Sequence, residues 1–118
     1  MLLILIAPLP AADFASWFRD FRAAVARRDA AAIAKQAHFP LHWENGPIRE
    51  IQSEADLVKN FDRYFTPEIS KIIASKMPVG EPTGNFTITW KARGNEYSLY
   101  FKPEGQTFVL DGLSEGPA

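Results

Sequence analysis

The chain contains no cysteine, which excludes a disulfide, a thiolate nucleophile and a thiolate metal site. The redox compartment is left open by that absence. Charge of one sign is also lacking: 13 basic residues stand against 14 acidic ones, a formal net charge of −1. The basic residues are scattered along the chain, without the clustered stripe that a phosphate backbone attracts, so nucleic acid is excluded as a partner. The apolar run Leu2-Leu3-Ile4-Leu5-Ile6-Ala7 is too short to cross a bilayer. No internal repeat and no low-complexity segment is present. At 118 residues the chain can build one core and not two.

What the sequence does have is a strongly patterned C-terminal third. From Asn85 to Leu113, Phe86, Ile88 and Trp90 alternate with Thr87, Thr89 and Lys91. Tyr97, Leu99 and Phe101 alternate with Ser98, Tyr100 and Lys102, and Phe108 and Leu110 with Val109 and Asp111. A period of two marks strands with one buried and one wet face. Arg93-Gly94-Asn95-Glu96 and Pro103-Glu104-Gly105-Gln106 supply the turns, because Gly and Asn tolerate positive φ and Pro presets a turn. By parity the inner face is Phe86, Ile88, Trp90, Ala92, Tyr97, Leu99, Phe101, Phe108 and Leu110, and it contains no acid.

Upstream lie the elements that must cover this face. Asp13 is read as a helix cap, followed by the stripe Phe14, Trp17, Phe18, Phe21 and Val25. Asp29 caps a second helix from Ala30 to about His38, which Pro40 prevents from continuing. Asn45-Gly46-Pro47 joins two short strands, Leu41–Glu44 and Ile48–Ile51. Ser53-Glu54-Ala55-Asp56 has the form of a capping box, starting a helix with Leu57, Val58, Phe61, Tyr64 and Phe65 on its inner face. Thr66-Pro67-Glu68 starts another, with Ile69, Ile72 and Ile73 buried. Met77 to Gly84 is a long loop.

Helices gathered before a meander argue an α+β domain with the helices on the concave face of a curved, mainly antiparallel sheet. Residues 13–113 form this domain, 114–118 a C-terminal tail, and 1–12 a signal-peptide remnant or an N-terminal tail. The apolar run followed by Pro8-Leu9-Pro10-Ala11-Ala12 is similar to the end of a secretory signal, with a cut after Ala12. The expected location is therefore periplasmic or secreted, and otherwise cytoplasmic.

Phe21-Arg22-Ala23-Ala24-Val25, Phe39-Pro40-Leu41, Asn45-Gly46 leading to Ser53-Glu54-Ala55-Asp56-Leu57, and Leu110-Asp111-Gly112-Leu113 together resemble the nuclear transport factor 2-like superfamily. This is the cystatin-like cone shared with ketosteroid isomerases and scytalone dehydratase. The pieces look like small exported bacterial members with no assigned activity. The resemblance implies the cone, and a cone hosts enzymes, carriers and interaction modules alike.

Candidate chemistry is sparse. His38 and His42 are four apart, but Pro40 between them forbids the helix that would aim both at one metal. His42 and Glu44 share a strand face and lack a visible third ligand. A cone-fold isomerase needs an acid in the pocket beside a hydroxyl. Asp111 has outward parity unless a bulge resets it, and Asp62 reads as solvated. Glu44 can reach the pocket, with Tyr64 or Tyr97 supplying the hydroxyl. No catalytic residue, metal ligand or cofactor is assigned.

Trp17, Phe61, Trp90, Tyr97 and Phe101 are the candidate lining for an apolar ligand if they converge at the cone mouth. The competing reading is that they fill the cone, which a small domain needs for stability. The expected function is a non-enzymatic binding or interaction module with an apolar interior, its partner a small apolar ligand or a protein. The alternative is an isomerase- or hydratase-like enzyme on a small apolar substrate. The wet face offers only Tyr100 and Val109 to a dimer, so a monomer or a weak homodimer is expected.

Overall fold

The computed structural model describes residues 11–118. The run Leu2–Ala7, Pro8–Pro10 and the reading of them as an export signal lie outside the described residues. The first helix, α1 (Ala11–Ala26), begins two residues before the expected cap, so Asp13 sits in its first turn. Its apolar stripe packs as the spacing requires: Phe14, Phe18, Phe21 and Val25 are buried and Trp17 is half-buried. Asp29 caps α2 (Ala30–Ala34), accepting from the Ala32 N–H at 3.1 Å.

That helix stops well short of His38, and Pro40 is not what ends it. Ala37 and His38 already belong to β1 (Ala37–Asn45), and Pro40 lies inside this strand after a cis peptide bond. It falls within the stretch where pairing with β6 loses register, where a missing donor is tolerated. The turn at Gly46 leads into β2 (Ile48–Ile51).

Three short helices follow: α3 (Glu54–Lys59), α4 (Phe61–Tyr64) and α5 (Pro67–Ser75). The caps are as expected, with Ser53 accepting from Asp56 N–H and Thr66 from Ile69 N–H. The single helix expected across 54–65 is broken at Asn60, whose side-chain amide donates back to the Asp56 carbonyl and carboxylate. Such local bonds compete with the helix ladder. Within α3 it is Leu57 that is buried, and Val58 is 47% exposed, off the inner face assigned to it.

The sheet has six strands in the order β2-β1-β6-β5-β4-β3, with β3 (Val79–Gly80), β4 (Phe86–Ala92), β5 (Asn95–Glu104) and β6 (Thr107–Pro117). All pairs are antiparallel except β1 with β6. It is curved and unclosed, and with the helices it makes the expected α+β cone-like architecture. The two-residue turn at Arg93 and Gly94 has both φ angles positive, 54° and 77°, which suits the strand twist of a tight hairpin.

The inner face is read correctly as far as Leu110. Ile88, Trp90, Tyr97, Leu99, Phe101, Phe108 and Leu110 are buried, with Phe86 and Ala92 half-buried. Then the register resets. Phe101 opposes Leu110 and Tyr100 opposes Gly112, so Asp111 is an extra residue, a β-bulge. Gly112 has φ +152°, and a Cβ there would stand 3.0 Å from the His42 carbonyl oxygen. Beyond the bulge parity flips, and Leu113 and Glu115 oppose the inward Leu99 and Tyr97. Residues 114–117, expected as part of a tail, are the end of β6. On the outer face Val109 is only 6% exposed, while Tyr100 is exposed and is joined there by Val79 of β3, which pairs with Thr87.

Candidate functional site

The bulge corrects the expectation that no acid reaches the inner face. Glu115 comes to lie beside Tyr97, and the Tyr97 hydroxyl donates to its carboxylate in a short hydrogen bond. Around this pair the structure builds a chain of polar contacts from four elements. Arg93 in the β4–β5 turn donates to the Tyr97 oxygen at 3.0 Å. It also grips Glu68 of α5 with both terminal nitrogens, at 2.6 and 3.1 Å. Trp90 Nε1 donates to the same Glu68 at 3.2 Å, and its ring stacks on Tyr97 with centroids 5.4 Å apart. On the other side Glu44 of β1 accepts from the Glu115 N–H at 3.1 Å and lies 3.3 Å from His42 Nε2.

The electrostatics follow from these contacts. Hydrogen bonds donated by Arg93 hold the Glu68 carboxyl below the usual carboxylate range, and the same bonds push the guanidinium up. The Glu115 N–H is the main cause of a lowered Glu44 carboxyl. Each group is therefore set in the ionisation state its partner needs. Planar bidentate pairing is the geometry arginine gives a carboxylate.

The five residues expected to line a ligand site separate into three places. Trp90 and Tyr97 stack together in the polar cluster. Trp17 and Phe101 meet edge-on at 5.6 Å, in an aromatic pack that includes Phe14, Phe18 and Phe21. Phe61 stacks on Phe65 and lies under the Arg28 guanidinium. Phe101 is fully buried against those rings, so it fills space there. A cleft of about 310 Å³ beside the polar cluster is lined by Asn45, Thr66, Pro67, Glu68 and Arg93. Neither Tyr97 nor Glu115 lines it.

The remaining candidates have local partners. Tyr64 donates its hydroxyl to Asp56, whose carboxyl is lowered chiefly by the Gln52 N–H. Burial raises the Tyr64 phenol. Asp62 pairs with Arg28, and His38 with Glu104. Asp111 pairs with Lys102 at 3.2 Å. Among the described residues no third His, Asp or Glu joins His42 and Glu44 in a metal-holding group.

Sequence reasoning missed Glu68, Arg93 and Glu115 as members of one cluster. Glu68 was visible only as a first-turn acid and Arg93 only as a turn residue. Asp111-Gly112 carried the signal for Glu115, since a glycine interrupting strand alternation marks a bulge and hence a parity change.

The fold and this cluster define a cone-like α+β domain closed at one end by a tyrosine–carboxylate–arginine network. Compared with known proteins, the chain matches no family model, no curated protein and no solved structure.

Proposed function

We propose that this protein is a non-enzymatic interaction module of the nuclear transport factor 2-like type, whose apolar cone interior serves as filling for the fold. The observation that carries the reading is the state of the Tyr97 hydroxyl. Its proton is directed to Glu115 and its oxygen already accepts from Arg93. A hydroxyl engaged on both sides has no free proton to place on a substrate oxyanion, which is what a cone-fold isomerase would require of it. Phe101, closed in by aromatic rings, supports the same reading for an apolar ligand. The architecture of helices on a curved sheet supports the superfamily assignment. The N-terminal apolar run supports export to the periplasm or beyond.

A thermal-shift panel of sterols, fatty acids and small aromatics tests the filled cone. The expected result is no stabilisation by any of them. A ligand that stabilises by about 2.7 kcal/mol at a hundredfold excess over its Kd, with the effect lost in Tyr97→Ala, overturns it.

One observation favours a second reading, an isomerase- or hydratase-like enzyme. The Tyr97–Glu115 pair is the carboxylate-beside-hydroxyl arrangement such chemistry uses. In that reading Arg93 leaves Tyr97 when substrate enters, and Glu115 is the base. Hydrogen–deuterium exchange into the α-position of simple apolar ketones, abolished by Glu115→Gln, would establish it over the first.

A further inference from the structure

The inner face is closed at both ends, but the sheet is unclosed, with one edge at β2 and the other at β3 and β4. β3 pairs only with Phe86 and Thr87, through Gly80 and Val79. β4 continues to Ala92, so along Ile88–Ala92 it has β5 on one side and, among the described residues, no strand on the other. Unpaired strand edges are templates for a further strand.

The surroundings of this edge have a definite chemistry. Helix α5 runs beside it, touching Trp90 through Glu68 near its start and flanking Ile88 and Thr89 through Lys76 just past its end. A cleft of about 470 Å³ lies here, lined by Lys76, Met77, Val79 and Glu81 with β4 residues Thr87 to Thr89. Met77 is 63% and Val79 70% exposed, an apolar rim on an otherwise polar surface. Of the nearby acids, Glu68 is paired with Arg93 and bonded by Trp90, whereas Glu81 accepts from the Thr87 hydroxyl at 2.9 Å and keeps its negative charge. Lys71, one helical turn from Glu68, Lys76, and Lys91 on β4 make no ion pair among the described residues, although Glu96 lies opposite Lys91 across the hairpin. Arg22 adds a further cation here, hydrogen-bonded among the described residues only to the Ile73 and Lys76 carbonyls and the Met77 sulfur, so the balance bordering the edge stays positive against Glu81 and Glu96.

Lysine along an edge opposes pairing with a second copy of the same edge, because like charges would be brought together. The same lysines favour a strand of opposite sign. We propose that the open β4 edge accepts an extended acidic segment of a partner protein as a seventh strand. Backbone hydrogen bonds to Ile88–Ala92 supply the pairing. Met77 and Val79 take an apolar side chain, and Lys71, Lys76 and Lys91 select for carboxylates. This inference rests on the interaction-module reading and names the surface and the class of partner.

The experiment is amide hydrogen exchange on the full chain with a capped hexapeptide of alternating valine and glutamate, against a valine–lysine version. The expected result is that the outward amides of Ile88–Ala92 slow about tenfold or more with the glutamate peptide at saturation, and stay unchanged with the lysine one. Lys76→Glu with Lys91→Glu, both exposed positions, should weaken binding by about tenfold while leaving the far-ultraviolet circular dichroism unchanged. Equal protection by both peptides, or by neither, overturns the proposal. So does protection already present without peptide, whether independent of dilution (the chain's own residues 1–10) or lost on dilution (a second copy). The thermal-shift panel separates the two levels. A ligand-silent cone with an unprotected edge refutes the edge alone, whereas a ligand-stabilised cone refutes the module.

Discussion

The two ends of the inner sheet face are closed by different physics. On β5, Phe101 and Tyr97 are four residues apart and point the same way. Around Phe101 the rings of Phe14, Trp17, Phe18 and Phe21 have centroids 5.4 to 5.9 Å away, and closure comes from apolar contact alone. Around Tyr97 the ring is buried, but its hydroxyl, Trp90 Nε1 and the Arg93, Glu68 and Glu115 side chains close the end by hydrogen bonds. Dispersion and burial scale with area and are not directional. Hydrogen bonds demand particular partners and contribute little net energy once exchange with water is counted. The aromatic end should therefore carry stability, and the polar end should carry geometry.

The sharpest way to break this contrast is truncation at the aromatic end. Phe101→Ala should cost roughly 3–5 kcal/mol in urea unfolding, because the enclosing rings come from a helix that cannot collapse into the gap. A loss below about 1.5 kcal/mol would mean that Phe101 already faces open space, and the filled-cone reading would fail with it. Next in size is Gly112→Ala, expected to cost more than about 1 kcal/mol, since φ is positive there and the new Cβ would press on the His42 carbonyl. It should also disturb Glu115, readable as a changed Tyr97 ring signal by nuclear magnetic resonance. Unchanged stability and spectrum would mean the bulge can move without consequence.

Tyr97→Phe keeps the ring and removes only the hydroxyl. It should cost about 1 kcal/mol, since Glu115 is half-exposed and water can replace the lost donor. A loss as large as that of Phe101→Ala would erase the distinction between the ends.

The aromatic end was legible in the sequence and the polar end was not. Helical spacing in α1 and strict alternation in β4 and β5 are periodic signals, and burial follows periodicity until the register changes. A single extra residue, Asp111, was enough to place Leu113 and Glu115 on the face opposite to the one that simple counting gives. The polar cluster joins residues 44, 68, 93, 97 and 115, whose proximity depends on the crossover from α5 to the sheet and on the parallel β1–β6 pair. No local pattern encodes that. The break at Asn60 was hidden for a related reason, since a side-chain bond to Asp56 outweighed an apolar spacing that looked helical.

Acid provides the smallest and most selective test. Glu68 and Glu44 both have carboxyls held low in the folded protein, by Arg93 and by the Glu115 N–H respectively. A carboxyl whose folded pKa lies below its unfolded value of about 4.3 binds fewer protons folded than unfolded. Its contribution is fully present above that value and is lost as pH falls through the lower, folded one. Wild-type urea midpoints should therefore decline as pH is taken from about 5 to 3. Glu68→Gln should lower stability slightly at neutral pH and make the decline shallower. Part of the slope should persist, because Glu44 and Asp56 also have lowered carboxyls. Phe101→Leu at the aromatic end should shift the whole curve downward without changing its slope, since that pack contains no titrating side chain. If Glu68→Gln leaves the slope as it was, the Glu68–Arg93 contact does not persist in solution. The polar end would then be held by Tyr97 and Glu115 alone.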